Sequence, residues 1–421
     1  VPATGPATNH AAADRCPGVL RLVEAADGYL ARIRLPGGLI GAGAMRALAW
    51  LASELGDGRL ELTSRGNVQL RRLAADAAGP LTDELARAGL FPSPEHDRVR
   101  NVLASPLAGL DGGPDLTAIV QALDTALCAR PRLAELPGRF LFAVDDGRGD
   151  VAGLGADVLA RVRADGAVVN GLAVRGAATG HAGPGHPVAG HVVAGHAVAA
   201  DVVTVMLACA EAFLDARAAQ GGTAWRIADL ADGPARVRAA VAARLGLAAA
   251  AQPMAGSPPP AVSDGTDGTG GTGALAAPTA RPVGVVGPTG TAVVLLAPLG
   301  RLTAAQLTWL ADRVGGRLAR ITPWRSVVLP DLPDAAGLVR DAADLGFGVG
   351  AESPWLRLSA CAGRPGCASA LADVQADAAG FAARWPERIV HVSGCARHCG
   401  RPAATQVDVT ATSEGYQVAG I

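Results

Sequence analysis

The sequence predicts an α+β protein in which two copies of one strand–helix–strand unit pair into a single platform, flanked by two α/β units. Three observations predict this. A gap-free shift of 259 residues pairs two distant stretches of the chain. Each stretch has strand-like alternation on either side of a helical period. The last part of the chain forms a separate unit that carries four of the seven cysteines. At ~150 residues per domain, 421 residues leave room for two to four domains.

Residues 1–15 read as a loose, disordered tail, and structure begins near Cys16-Pro17-Gly18. Gly28 to Leu35 alternates as a half-buried strand does, and Pro36-Gly37-Gly38 ends it. From Ala42 to Leu55 the residues Met45, Leu48, Leu51, Ala52 and Leu55 recur on one helical face, and Gly56 and Gly58 stop the helix. A second strand region runs from Arg59 to Leu70 around Thr63-Ser64-Arg65-Gly66-Asn67. Residues 16–75 thus form a first half-repeat.

Residues 76–250 form a middle α/β domain. It holds strand-like Arg139–Val144 and Ala167–Val174, a helix over Asp201–Ala218, and a Gly/His-rich loop at 180–196. A Gly/Thr/Pro linker over 251–280 cannot pack a core. The second half-repeat covers 281–345 and the cysteine-bearing unit 346–421. The shift pairs Gly41 with Gly300, Leu48 with Leu307, Trp50-Leu51-Ala52 with Trp309-Leu310-Ala311, Gly56 with Gly315, Thr63 with Thr322 and Leu70 with Leu329. Matched helix cores and matched ends argue for duplication.

Composition excludes several classes. The chain is 50% hydrophobic and 18% charged with a net charge of −1, so it buries a core and is not disordered. It lacks the basic excess of a non-specific nucleic-acid binder. All 37 basic residues are arginine, which removes Schiff-base chemistry, pyridoxal-phosphate anchoring and a Walker-type phosphate loop. The most apolar stretch, Ala197–Phe213, contains Asp201 and Glu211, so no membrane span is expected. No export signal is visible at the N-terminus, and a cytoplasmic location is expected.

Cys361-x5-Cys367 and Cys395-x3-Cys399 place four thiolates in two short loops, a set suited to zinc or an iron–sulfur cubane. Structural zinc favours closer pairs, so the spacing favours a [4Fe–4S] cluster. Ala368–Ala383 reads as a helix, leaving the two pairs on separate loops that must converge. Cys128 and Cys209 read as packed small hydrophobes. His181, His186, His191 and His196 recur every five residues beside Gly and Pro; that spacing suits an expanded surface loop better than a metal site. His96, His391 and His398 read as packed or surface residues rather than ligands.

C-x5-C followed by S-G-C-x3-C, at the end of a chain with a duplicated half-domain, resembles the siroheme sulfite and nitrite reductase superfamily. Arg32-Ile-Arg-Leu-Pro-Gly-Gly38, Leu62-Thr-Ser-Arg-Gly-Asn-Val-Gln-Leu70, Arg100-Asn-Val102 and Leu136-Pro-Gly-Arg-Phe140 extend the resemblance from Cys16 to the end in the family order. It implies ferredoxin-like half-domains joined to two α/β domains of the sulfite/nitrite reductase type. It also implies a polycarboxylate tetrapyrrole, bound by guanidinium groups whose geometry matches carboxylates. Carried over on those motifs, Arg32, Arg100 and Arg139 are catalytic candidates; Arg65, Asn67 and Gln69 are tetrapyrrole-binding candidates; Cys361, Cys367, Cys395 and Cys399 are cluster ligands.

Two departures matter. Where sulfite and nitrite reductases carry Lys-x-Lys, this chain reads Arg139-Phe140-Leu141, and a guanidinium is a poor proton donor. An acidic family position after the last cysteine loop is Gln406. Together with the short chain and its opening Cys16-Pro17-Gly18, these features are similar to the precorrin-3B synthase branch, in which the tetrapyrrole is substrate. That branch implies hydroxylation of precorrin-3A with O2 and lactone closure, an electron donor such as a ferredoxin or flavoprotein reductase, and a mononuclear non-haem iron whose ligands the sequence does not reveal. The alternatives are a siroheme-dependent sulfite or nitrite reductase and a non-catalytic iron–sulfur or tetrapyrrole carrier.

Overall fold

The computed structural model describes residues 16–163, 166–174, 196–247 and 282–420. The tail 1–15, the linker 251–280 and the Gly/His-rich loop up to residue 195 lie outside the described residues. Among the described residues no helix is long and apolar enough to cross a membrane.

The first half-repeat runs β1 (Val23–Ala25), β2 (Gly28–Ile33), β3 (Leu39–Ile40), α1 (Ala42–Leu55), β4 (Arg59–Leu62), β5 (Val68–Leu73) and α2 (Ala78–Arg87). Its sheet has the order β1-β2-β5-β4, with all neighbours antiparallel. The helix expected at Ala42–Leu55 has those bounds. The strand expected over Arg59–Leu70 is two strands, because Thr63 Oγ1 accepts the backbone N–H of Asn67 and Gly66 turns the chain at φ +64°. Leu81 and Leu85 of α2 sit in the same core as α1, so this packed unit continues past residue 75.

The middle domain follows with β6 (Val102–Ala104), α3 (Thr117–Cys128), β7 (Phe142–Asp145), β8 (Val158–Arg163), β9 (Gly166–Val169), β10 (Leu172–Val174), α4 (His196–Ala219) and α5 (Gly233–Leu245). Strands β6, β7 and β8 are parallel, and β9 and β10 add antiparallel. The strand expected from Arg139 starts only at Phe142, and Asn170-Gly171 folds Ala167–Val174 into a hairpin.

The second half-repeat runs β11 (Gly284–Val286), β12 (Ala292–Leu296), β13 (Arg301–Thr303), α6 (Ala304–Val314), β14 (Ala319–Ile321), β15 (Ser326–Leu329) and α7 (Ala335–Asp344). It repeats the first element for element. The two copies also exchange strands: β13 pairs with β4 of the first copy, and β3 pairs with β14 of the second. One hydrophobic core therefore runs through both sheets and under α1 and α6, as expected of a single platform. The structure adjusts one pairing. The turn Pro298–Gly300 matches Pro36–Gly38, each with a left-handed second residue, so Gly300 corresponds to Gly38 rather than Gly41.

The last unit contains β16 (Leu358–Ala360), α8 (Val374–Arg384), β17 (Val390–Ser393), β18 (Val407–Thr412) and β19 (Gly415–Ala419). The helix expected over Ala368–Ala383 begins only at Val374, where the Asp373 side chain caps it by accepting the N–H of Ala376. Residues 368–373 are turn and loop beside the first cysteine pair. Strands β16, β17 and β18 are parallel and β19 antiparallel, with α8 joining β16 to β17. That is the topology of β6, α3, β7, β8 and β9, so the duplication extends into the outer domains.

Candidate active site and cluster loops

Strands β2 and β5 carry the arginine motifs on one face. In antiparallel register Arg32 lies opposite Gln69, Gln69 opposite Glu61, and Glu61 opposite Arg301 on the exchanged strand β13. The side chains bond along that row. Arg32 donates from Nε and Nη2 to Gln69 Oε1 at 3.1 and 2.6 Å, and Gln69 Nε2 donates to Glu61 Oε2 at 3.0 Å. Arg301 donates to Glu61 Oε1 at 2.7 and 3.1 Å. The row caps one edge of the Arg32 guanidinium and leaves Nη1 for a ligand.

Arg65 stands half-buried at the turn between β4 and β5, within electrostatic reach of Arg32 and of Arg226 from the middle domain. Arg34 is 2% exposed; its Nη2 donates to the carbonyls of Pro17 and Arg98, and its Nε has no partner. Burial pushes Arg34 down to about 9 and Arg65 down to about 10, with neighbouring guanidiniums adding to the effect; both stay charged at neutral pH. The Cys16 thiol and Asp157 partly offset this positive field. Asp157 in turn holds Arg226 Nε at 2.9 Å. Arg139 is exposed and stacks over Trp225, the neighbour of Arg226, with 5.4 Å to the ring centroid. Several guanidiniums with few carboxylates between them make a positive face suited to a polyanion.

The expected residues do not all join this wall. Arg32 and Arg65 lie in it, and Arg139 lies beside it. Arg100 does not: it forks onto Asp124 of α3 with two bonds of 2.7 Å and donates to the Leu90 carbonyl, so its donors serve the fold. Asn67 is fully buried, accepting the N–H of Leu35 and donating to Asn101, and has no atom left for a ligand. Gln69 is spent on Arg32 and Glu61, which makes it a positioning group. The sequence reading missed Arg34, Glu61, Arg226 and Arg301. Only Arg34 had a local signal, as the second arginine of the Arg32-Ile-Arg34 alternation.

The cysteine loops adjoin the same platform, since Arg71 Nη2 on β5 donates to the Gly366 carbonyl at 2.8 Å. Cys361 Sγ accepts the N–H of Gly394 at 3.1 Å, which ties the first pair's loop to the second's. A Cβ at Gly394 would lie 2.8 Å from Ala370 Cβ and 3.5 Å from that sulfur, so the closeness needs glycine. Burial raises the Cys361 and Cys399 thiols, and each is raised further by the other cysteines. With a backbone N–H on the Cys361 sulfur, cysteines from the two loops could hold a cationic multinuclear cluster.

The outer-domain duplication extends to these loops. Ser105 after β6 corresponds to Cys361 after β16: the N–H of Ser105 bonds Val144 O and that of Cys361 bonds Val392 O, each at 3.0 Å. Ser105 Oγ accepts the N–H of Asp146 at 3.2 Å, as Cys361 Sγ accepts that of Gly394. In the middle domain these two loops bring Asp111, Asp146 and Asp150 onto the single guanidinium of Arg148. The middle-domain loops thus gather three carboxylates around one guanidinium, and the cysteine loops share their backbone scaffold.

Among the described residues no three His, Cys, Asp or Glu side chains group so as to hold one metal ion, and the mononuclear iron finds no ligand set there. His96 bonds Ser93 and Arg130 O, His391 Nδ1 bonds Ser359 while its buried Nε2 has no partner, and His398 bonds Asp408.

Residues 23–88 match the nitrite/sulfite reductase ferredoxin-like half domain. The chain is similar to a precorrin-3B synthase of Sinorhizobium sp, 27% identical over 99% of this chain and 85% of that one. It is also similar to the ferredoxin–nitrite reductase of Synechococcus elongatus, 33% identical over 28% of this chain and 25% of that one. The structure of the Mycobacterium tuberculosis NirA protein shares the fold, with a TM-score of 0.66, 21% identity, and coverage of 93% of this chain and 73% of that one. With its paired half-domains, the chain carries a nitrite/sulfite reductase ferredoxin-like half domain at residues 23–88 and is similar along nearly its whole length to a precorrin-3B synthase.

Proposed function

We propose that the protein is a precorrin-3B synthase-like monooxygenase, which hydroxylates precorrin-3A with O2 and closes a lactone. The observation that carries this reading is the arginine-walled face of the first half-repeat set against the cysteine loops through Arg71 and Gly366. In the balanced reaction one oxygen atom enters the substrate. The other leaves as water, taking two electrons and two protons from a donor such as a ferredoxin or a flavoprotein reductase. Cys361, Cys367, Cys395 and Cys399 would hold a [4Fe–4S] cluster, which supplies one-electron transfer when bound. Arg32 and Arg65 bind and orient the substrate carboxylates, buried Arg34 adds positive potential behind them, and the Gln69–Glu61–Arg301 row holds Arg32 in place. A reducing compartment, the cytoplasm, keeps the thiols available for iron.

The reductase relatives support siroheme-dependent reduction of sulfite or nitrite as a second reading. Against it, only Arg139 of the Arg139-Phe140-Leu141 stretch reaches solvent, while Phe140 and Leu141 are 0% and 2% exposed in the core. The second cation of a proton-delivering pair is replaced by core packing. Anaerobically purified protein given precorrin-3A, reductant and labelled O2 should yield a product carrying one labelled oxygen atom. Stoichiometric siroheme in the purified protein would decide for the reductase, and product-free binding of precorrin-3A for a carrier.

A further inference from the structure

The duplication gives the molecule a second place like the arginine site, at the junction of the second half-repeat, the cluster domain and residues 106–107 of the middle domain. A cavity of about 130 Å3, open to solvent, lies there. By strand register Val294 stands for Arg32 and Val328 for Gln69, and along the matched turn Trp324 stands for Arg65. The wall is therefore apolar where the first site is cationic. Trp355, from the cluster domain, adds a second indole.

One charge was put back at a cost. The turn Thr322–Ser326 reproduces Thr63–Asn67 bond for bond, with the Thr N–H on the carbonyl four residues on at 2.9 Å in both, and the fourth residue's N–H on the Thr carbonyl at 3.1 Å. That fourth residue is Gly66 at φ +64° in the first copy and Arg325 at φ +62° in the second. A non-glycine residue held in this region is strained. The Arg325 stem also runs where a Cβ on Gly300 would sit, 2.5 Å from Cδ. Among the described residues its guanidinium has no hydrogen bond or ion pair, and it lines the cavity. Arg357 lies on the cluster-domain wall of the same cavity. A strained, half-buried guanidinium without a hydrogen bond, in a cavity that two indoles also line, is complementary to an anionic head on a flat apolar body.

We propose that this cavity is a second ligand site, which takes a planar, largely apolar carboxylate, with the carboxylate on Arg325 and the ring between Trp324 and Trp355. The proposal does not depend on the reaction assigned to the first site. It is tested on the full chain with 2-naphthoate and the neutral 2-naphthamide as probes, followed by tryptophan fluorescence and calorimetry. The expected result is naphthoate binding at least about tenfold tighter than the amide, a charged hydrogen-bonded pair being worth that much. Arg325→Met should remove this preference and leave the amide within about twofold, and Arg325→Lys should restore part of it. Arg65→Met should leave both probes unchanged, which locates the binding in the second cavity. Equal affinity for the two probes, or a naphthoate preference that survives Arg325→Met in protein with an unchanged circular dichroism spectrum, would overturn the proposal. So would loss of the preference in Arg65→Met.

Discussion

Arg301 of the second half-repeat sets two N–H groups on one carboxylate oxygen of Glu61 in the first, at 2.7 and 3.1 Å. The contact exists because strand β13 crosses into the other copy's sheet, directly opposite β4. The second half-repeat has lost the arginines of its own cavity wall, yet it still reaches the first site through this strand. Duplication followed by divergence of the two copies accounts for both facts.

Breaking that row should weaken binding without touching the ligand. Glu61→Gln loses the ion pair with Arg301, and Arg301→Met leaves Glu61 free to swing away from Gln69. Either change is expected to lower affinity for uroporphyrin, an octacarboxylate probe, by about five- to thirtyfold, the worth of one charge-assisted hydrogen bond. Arg32→Met should lose at least as much. Combined with Arg301→Met it should lose little more, because the two substitutions act through one guanidinium. Additive losses in a fluorescence titration would refute the positioning role.

Periodicity and motif spacing carried much of this organisation. α1 has the bounds its apolar period implies, and the copies align because Leu48, Leu51 and Ala52 face one core together with Leu307, Leu310 and Ala311. The outer-domain duplication was not legible. Ser105 and Cys361 share no side-chain chemistry, and their equivalence rests on backbone N–H groups and strand register. Arg100 misled for a related reason: a motif gives the residue, but the distant Asp124 decides where its donors point. Strand exchange likewise hid Arg301, whose partner Glu61 lies far away in sequence.

Because its donors are occupied, Arg100→Met should act on stability rather than on the ligand. The substitution leaves the Asp124 carboxylate, 20% exposed, beside apolar core without its cation. A loss of about 3 kcal/mol in denaturant unfolding is expected, with uroporphyrin affinity unchanged in protein that remains folded. An affinity loss at unchanged stability would return Arg100 to the site.

Serine at Cys361 or Cys399 should abolish the broad visible absorbance of reconstituted protein and lower its iron content, because a hydroxyl is a poor replacement for a thiolate. Gly394→Ala is the subtler test. Its methyl would crowd Ala370 and approach the Cys361 sulfur, and should reduce iron retention while all four thiols remain. Full iron retention and an unchanged spectrum in Cys361→Ser would remove that residue from the ligand set.

The acidic cage of the middle domain predicts a pH signature. Burial, with Asp146 and Asp145 nearby, pushes Asp150 up to about 6, against the partial relief given by Ser105 and Arg148. A carboxyl whose folded value lies above its unfolded one, ~3.9, holds its proton more tightly when folded. Its stabilising contribution is therefore complete below about pH 4 and is lost as pH rises through about 6. The contribution is at most about 3 kcal/mol, since each tenfold step in proton affinity is worth 1.36 kcal/mol. Asp150→Asn should flatten this part of the stability curve, measured by urea unfolding at intervals from pH 4 to 7. It keeps an oxygen to accept the Ser105 hydroxyl, now 2.5 Å from Asp150 Oδ1. A slope between pH 4 and 6 that is the same in both proteins would show that the cage binds no extra proton on folding.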